Sequence, residues 1–249
     1  MTESNRLVAV VVGGSGGIGR DICRRLASDG HAVVVGYATN RDRAEALVDE
    51  LGGSPHSSQM IVNTDSAALE QVAERLGSHH GRIDVLVNCG GVTEPVAHDD
   101  LDGLSDTLID QIFAVNWRGP FATIRVFRSL LDAAPSAVVV NISSVAAITG
   151  IGSNVAYCAS KAALDSMTRS LGRALAPKIR VMSVSPGWVE GEYAASMPAG
   201  VLDAQRALTP LGRLASGTDV ASAVSAVIHH LPTTTGTAIA VDGGRPLGV

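Results

Sequence analysis

A short apolar run followed at once by a glycine-rich segment constrains this chain more than any other feature. The run Leu7–Val12 is typical of a buried strand, and Gly13–Gly19 continues as Gly-Gly-Ser-Gly-Gly-Ile-Gly. Glycines at such a position permit a tight turn, a close approach of the backbone to a pyrophosphate, and close packing of the next helix. The free N–H groups at the start of that helix attract an anion. The segment therefore predicts a strand–turn–helix unit that binds phosphate groups.

Apolar runs alternate with amphipathic segments along the whole chain. We predict strands at Leu7–Val12, His31–Gly36, Ser58–Val62, Val85–Val87, Ala137–Ile142, Arg180–Ser185 and Ala238–Val241, and helices that include Gly19–Asp29, Arg41–Leu51, Ala67–His79 and Asn154–Leu175. Apolar strands separated by helices are typical of a parallel sheet that is covered on both faces. We expect one α/β domain over residues 1–249. Its least regular stretch, about 187–213, is expected to be a mobile lid or substrate loop.

Charge and composition exclude several classes of function. The net charge is −5 and no basic tract occurs, which argues against nucleic-acid binding. The longest apolar runs are too short to span a bilayer, and the first residues lack the apolar stretch of a signal peptide. Cys23, Cys89 and Cys158 form no Cys-x-x-Cys pair. We therefore expect a cytoplasmic protein with no membrane or nucleic-acid partner and no metal site.

Tyr157 and Lys161 are spaced by one helical turn, and Ser144 precedes the tyrosine by thirteen residues. A phenol is a poor proton donor at neutral pH because its ordinary pKa is near 10. An ammonium group one turn away favours the phenolate and lowers that pKa. A hydroxyl such as that of Ser144 would polarise a carbonyl beside the phenol. These residue types therefore predict a site that protonates an oxygen while another group delivers a hydride.

Taken in order, these motifs resemble the short-chain dehydrogenase/reductase family, and the overall pattern is similar to its 3-oxoacyl thioester reductases. The resemblance covers nearly the whole chain. It rests on the glycine pattern Gly13, Gly17 and Gly19, the turn Asn88-Cys89-Gly90-Gly91, the helical Asn116, the set Ser144, Tyr157 and Lys161, the turn Pro186-Gly187, and the final Asp242-Gly243-Gly244. It implies a Rossmann-type, doubly wound, seven-stranded parallel sheet, for which we expect the strand order 3-2-1-4-5-6-7.

The resemblance also implies roles for individual residues. Tyr157 would be the general acid in reduction, Lys161 would hold the nicotinamide ribose, Ser144 would orient the substrate oxygen, and Asn116 would hold a water on the proton path. The cofactor would contact Gly13, Ser15, Gly17, Ile18, Gly19, Tyr37, Asn40, Arg41, Asn63, Asn88, Gly90, Tyr157, Lys161, Pro186, Gly187 and Val189. Asn63 stands where the family usually has an aspartate that meets the adenine.

Residues at the end of the second strand indicate which nicotinamide cofactor the chain prefers. An enzyme that uses NAD usually carries an acid there for the ribose 2′-hydroxyl, whereas this chain has Tyr37. The missing acid removes a barrier to a 2′-phosphate. Arg41, with Asn40, would form charge-assisted bonds to that phosphate. We therefore favour NADP(H), with NAD(H) as the alternative.

Substrate and partners follow less directly from the sequence. We expect a small-molecule ketone or 3-oxo compound. Glu190, Glu192 and Tyr193 in the loop would disfavour a strongly anionic one if they face inward. Small residues on one face of helix 154–175, namely Ala159, Ala162, Ala163, Ser166 and Ser170, suit either packing within the monomer or, as in relatives, a homodimer or homotetramer.

Two other functions fit parts of the pattern. The first is a non-catalytic, dinucleotide-binding sensor with the same fold, although a sensor needs no proton donor. The second is a serine hydrolase, because Gly13–Gly17 also matches Gly-x-Ser-x-Gly, with Ser15 as nucleophile and His229 or His230 as base.

Overall fold

In a computed structural model of the chain, residues 6–195, 197 and 200–245 are described. Seven parallel strands form one sheet in the order β3-β2-β1-β4-β5-β6-β7. The predicted fold class and strand order are confirmed. The order reverses between β1 and β4, and such a reversal opens a crevice at the carboxyl ends of the strands.

Strands and helices alternate as the sequence pattern predicts. The strands are β1 Val8–Val12, β2 Ala32–Tyr37, β3 Ser57–Met60, β4 Val85–Asn88, β5 Ala137–Ile142, β6 Ile179–Pro186 and β7 Ala238–Val241. The helices are α1 Gly17–Ser28, α2 Arg41–Glu50, α3 Ser66–His80, α4 Asp106–Phe113, α5 Gly119–Val126, α6 Arg128–Ala133, α7 Ala146–Thr149, α8 Val155–Ala174, α9 Glu192–Ala195, α10 Val201–Ala207 and α11 Gly217–His229. A short π-helix, Ala114–Arg118, joins α4 to α5.

The central strands send alternate side chains into two separate apolar layers. On β1, Val10 and Val12 pack beneath α3, α5 and α8, whereas Ala9 and Val11 pack beneath α1, α2 and α11. Successive side chains on a strand point to opposite faces, so a strand covered on both sides has to be apolar throughout. This is why the central strands β1, β2, β4 and β5 appear in the sequence as largely apolar runs, whereas the edge strand β3 is mostly polar.

Most predicted boundaries differ from the structure by one or two residues, and β3 and α1 show the largest differences. The third strand was expected at Ser58–Val62 but spans Ser57–Met60, and its last residue pairs with Tyr37 of β2. The first helix begins at Gly17 rather than Gly19, because the turn closes with Gly16 as the N-cap.

The expected substrate loop, about 187–213, carries more regular structure than its composition predicts. It contains the short helices α9 and α10. Ser196, Pro198 and Ala199 lie outside the described residues. Over the described part of the chain, no helix combines the length and the apolar character that crossing a membrane requires.

Candidate active site

Two tight turns meet at the crevice between β1 and β4. Gly13 has a φ of 74°, which favours glycine, and a Cβ there would lie 2.8 Å from both the Cα and the N of Gly90. The turn after β1 therefore packs directly on the turn after β4. A Cβ at Gly19 would collide with the carbonyl oxygen of Gly13, so α1 also packs closely against this turn. The tight turn and the close helix packing predicted for these glycines are present, and the approach to a pyrophosphate stays a prediction.

The start of α1 offers an open place for an anionic group. A Cβ at Gly17 would meet nothing within 4 Å, and Gly17 is exposed at the first position of the helix. Ser15 is buried, and its N–H donates to Gly36 O at 3.4 Å. Unpaired N–H groups and the helix dipole favour a phosphate at this end. The glycine-rich turn leaves space beside Gly17, whereas Gly13 and Gly19 are closely packed. This arrangement fits the pyrophosphate of a dinucleotide.

Tyr157 lies in the first turn of α8, and the capping residue of that helix holds it in place. The N–H of Tyr157 donates to Asn154 Oδ1 at 2.7 Å, and Asn154 Nδ2 donates to Glu94 O at 2.7 Å. Asn154 is buried and thereby ties the start of α8 to the segment after β4. Asn154 is not among the predicted site residues, although asparagine before a helix is a common capping signal.

Lys161 lies one turn further along α8 and is buried beneath the crevice. Its Nζ donates to Ile142 O at 2.8 Å and lies 5.8 Å from the centre of the Tyr157 ring. A Cβ at Gly91 would lie 3.7 Å from the same Nζ, so the ammonium also borders the turn after β4. Burial lowers the pKa of Lys161 to about 8, although Cys89 and Asp165 act in the opposite direction. A cation is thus placed beside the phenol at an energetic cost.

Ser144 follows β5 directly, at the carboxyl edge of the sheet. Its Oγ accepts a hydrogen bond from Ala146 N at 3.2 Å and is half-buried. The next residue, Val145, donates to Pro186 O at 3.0 Å, which joins this segment to the turn after β6. Gly187 donates to Val241 O at 3.0 Å. Adjacent strand ends therefore bring Ser144, Pro186 and Gly187 to the same side of the crevice as Lys161.

Asn116 is fully buried in the π-helix, and its side chain braces the turn after β4. Its Oδ1 accepts from Val92 N at 2.9 Å, and its Nδ2 donates to Val92 O at 3.0 Å and to Ser160 Oγ at 3.2 Å. π-helical turns often occur at functional sites. Both polar atoms of the side chain are engaged, and the water expected there stays a prediction.

Asn63 and Asn88 connect elements below the crevice. Asn63 Nδ2 donates to Val115 O at 3.0 Å, a bond that the carboxylate of an aspartate could not make. Asn88 Nδ2 donates to Asn141 Oδ1 at 2.9 Å. A buried polar chain continues from Asn141 Nδ2 to Thr168 Oγ1 at 2.9 Å, and from Thr168 to Ser183 Oγ at 2.9 Å. No local sequence pattern predicts these hydrogen bonds, because the residues that form them are far apart along the polypeptide.

Asn40 and Arg41, which were predicted to contact a 2′-phosphate, form local contacts within α2. Asn40 caps α2 by accepting from Arg43 N at 2.9 Å, and Arg41 is 69% exposed and pairs with Glu45 at 2.7 Å. In contrast, Arg43 and Arg20 both contact the carboxylate of Glu192, which begins α9. Because Arg20 lies in the first turn of α1, this pair of arginines borders the glycine turn. Sequence reasoning missed both of them.

Other predicted contacts lie around this cluster. Tyr37 ends β2 and is half-buried, and Ile18 is half-buried in the first turn of α1. Val189 forms an isolated parallel bridge with Ala215. In the described residues, no group of three or more His, Cys, Asp or Glu side chains is placed to hold a metal ion.

The geometry contradicts the serine hydrolase alternative. His229 lies 3.7 Å from Asp29, beyond the carboxyl end of α1, whereas Ser15 precedes the opposite end of that helix. Twelve helical residues separate the two ends by about 18 Å. Neither His229 nor the adjacent His230 is therefore placed to activate Ser15.

Comparisons with known proteins agree with this arrangement. The sequence model of the short chain dehydrogenase family matches residues 7–201. Ketoacyl reductase 2 of the granaticin polyketide synthase from Streptomyces violaceoruber is 31% identical over 96% of both chains. The 3-oxoacyl-[acyl-carrier-protein] reductase of Escherichia coli strain K12 is 32% identical over 95% of this chain and 96% of its own. A crystal structure described as a short-chain dehydrogenase/reductase from Burkholderia xenovorans superposes with a TM-score of 0.87 at 32% identity, over 96% of this chain and 97% of the other.

Proposed function

The chain belongs to the short-chain dehydrogenase family, and from that premise we propose that it reduces a ketone or 3-oxoacyl-type carbonyl with NADPH. The observation that carries the proposal is the buried Lys161 beside Tyr157, at the crevice that Ser144 borders. When bound, the nicotinamide supplies the hydride. Two of the relatives are named as reductases of ketoacyl or 3-oxoacyl compounds, which supports the same class of substrate.

In this proposal each residue has a distinct task. Ser144 donates its hydroxyl to the carbonyl oxygen and orients it, and Tyr157 delivers the proton to that oxygen. The ammonium of Lys161 favours the phenolate that remains on Tyr157. Asn154 and Asn116 position α8 against the turn after β4 and do not touch the substrate. A proton donor placed in this way contributes about 10²–10⁴ in rate.

Replacement of Tyr157 by Phe tests the proposal. We expect kcat/KM for a ketone to fall about 10²- to 10⁴-fold, because the carbonyl oxygen loses its proton donor. NADPH binding, followed by fluorescence titration, should stay close to that of the wild type. Unchanged turnover in the variant would refute the role of Tyr157. Wild-type protein that binds NADPH and reduces no ketone would favour the sensor alternative.

NADPH is the cofactor that the charges favour. Tyr37 leaves the end of β2 without an acid, and Arg43 and Arg20 are the arginines that border the glycine turn. Arg41 stays a predicted contact of the 2′-phosphate, in competition with its partner Glu45. Replacing each of Arg41 and Arg43 by Gln separates the two assignments. The variant that loses the preference for NADPH over NADH identifies the arginine that contacts the 2′-phosphate. If neither variant loses this preference, the assignment of these arginines to the phosphate is refuted.

The small face of α8 supports assembly into a homodimer or homotetramer. Ala159, Ser166 and Ser170 are exposed, so this face is not packed within the monomer. Size-exclusion chromatography with light scattering measures the assembly, and a monomer would contradict it. The thiols of Cys23, Cys89 and Cys158 are free, which suits the proposed cytoplasmic setting.

A further inference from the structure

A small cleft adjoins the proposed catalytic residues. It lies between the segment after β5 and the segment after β6, and it is lined by Val145, Thr149, Ile151, Trp188 and Arg245. Val145 directly follows Ser144 in the chain. On the other side, a Cβ at Gly152 would lie 3.2 Å from Cδ1 of Tyr157. The cleft therefore lies one residue along the chain from Ser144 and beside the segment that contacts the Tyr157 ring.

The lining is apolar except at two residues. The hydroxyl of Thr149 is already engaged, since it donates to Val145 O at 3.1 Å and accepts from Ile151 N at 3.1 Å. Arg245 is different because a guanidinium carries five N–H donors. Among the described residues, its only side-chain hydrogen bond is the one from Nη1 to Gln205 on α10. Arg245 is half-buried and places a positive charge in an otherwise apolar lining. Most of its N–H donors are available for a ligand.

The fold directs this arginine into the cleft. Gly243 and Gly244 have φ values of 67° and 77°, which turn the chain back after β7. Asp242 stabilises the turn, because its Oδ1 accepts from Gly244 N at 2.9 Å and its carbonyl accepts from Arg245 N at 3.3 Å. Arg245 forms no ion pair within 4.0 Å in the part of the chain that the structure describes.

The acidic residues expected to repel an anion are neutralised. Glu190 pairs with Arg206 at 3.0 Å, and Glu192 pairs with Arg20 and Arg43. The arginine partners offset both charges, so the expectation that Glu190 and Glu192 disfavour an anionic substrate stays a prediction, with which the present proposal competes. The charge that this cleft presents to a substrate is positive.

We propose that the substrate is an oxo acid whose carboxylate binds Arg245 while its ketone lies at Ser144 and Tyr157. The planar guanidinium matches the two oxygens of a carboxylate. Val145, Ile151 and Trp188 would pack against a short apolar spacer between the two groups. This assignment rests on the reductase function proposed above and adds the class of substrate.

Levulinate and its methyl ester test the assignment, because both carry the ketone and only levulinate carries the charge. Binding to the enzyme loaded with NADP⁺ is measured by calorimetry, and turnover is measured with NADPH. We expect the wild type to bind levulinate roughly 10- to 100-fold more tightly than the ester, and Arg245→Gln to abolish that preference. Arg245→Lys should keep part of it. Arg75→Gln removes the same charge from an exposed position on α3 and should leave the preference intact.

Each outcome decides between the two proposals. Equal binding of levulinate and ester by the wild type, or an undiminished preference in Arg245→Gln, would overturn the role of Arg245. If Arg245→Gln instead weakens binding of acetoacetyl-coenzyme A and leaves levulinate unaffected, the charge serves a phosphate and the carboxylate assignment is overturned. Levulinate that binds through Arg245 without being reduced would sustain the site and refute the reductase. If the enzyme reduces the ester and shows no preference for levulinate, the reductase function is supported and the role of Arg245 is refuted.

Discussion

Replacing Lys161 by Met should change how the stability of the protein depends on pH. Burial lowers the pKa of Lys161 from 10.5 to about 8 in the folded protein. Between these two values the unfolded chain binds a proton that the folded protein has released, so the free energy of unfolding rises with pH. Below pH 8 both states are protonated and the cost of the buried charge is fully present. Above pH 10.5 both are neutral and the cost is gone.

The size of the effect follows from the two pKa values. Between pH 7 and pH 9.5, the wild type should gain about 2 kcal/mol of stability relative to Lys161→Met, with the steepest rise midway between the two pKa values, near about pH 9. The methionine variant lacks the titrating group, so the difference between the two proteins isolates it. Activity should be lost in the variant, because the proposed mechanism needs the ammonium beside Tyr157.

Denaturant unfolding of the cofactor-free proteins at a series of pH values measures this difference. Lys178→Met is the matched control, because Lys178 is exposed and the variant should follow the pH profile of the wild type. Parallel profiles for Lys161→Met and the wild type would refute the reasoning. They would mean that the buried amine keeps an ordinary pKa.

Three further substitutions test the framework of the site. Asn154→Ala should destabilise the protein by about 2–3 kcal/mol in denaturant unfolding and should lower kcat. The substitution removes the cap of α8 and leaves Glu94 O without its hydrogen-bond donor. A loss of stability under about 0.5 kcal/mol would contradict this. Gly13→Ala should destabilise more than Gly30→Ala, since both have positive φ but only Gly13 faces a backbone collision, and equal losses would count against the packing of the two turns. Glu192→Gln should tighten NADPH binding several-fold in fluorescence titration, because it removes the acidic partner of Arg20 and Arg43. The variant should change stability by less than about 1 kcal/mol, because exposed ion pairs contribute little. Unchanged affinity would show that Glu192 does not influence the cofactor.

Local patterns in the sequence predicted the strands, the helices and much of the candidate site, whereas the strand order was expected from the resemblance to a known family. Strands buried on both faces have to be apolar throughout, so their positions could be read directly, and errors were confined to a few terminal residues such as those of β3. The glycine turn and the spacing of Tyr157 and Lys161 depend on a few successive backbone positions or on one helical turn. Such features are recorded within short stretches of sequence, and the structure brings them to one crevice.

Side-chain partners distant in sequence were decided only by the tertiary structure. Arg41 was predicted to contact the 2′-phosphate because it follows β2, yet it pairs with Glu45. Arg43 instead contacts Glu192, which is distant in sequence. Arg245 borders the cleft only because the turn after β7 folds back beside the segment after β5. The sequence by itself determined the strands, the helices and the order of the motifs, because periodicity and turn chemistry are local. The tertiary structure decided which charges meet and which are neutralised, because those contacts depend on how strand ends and loops pack together.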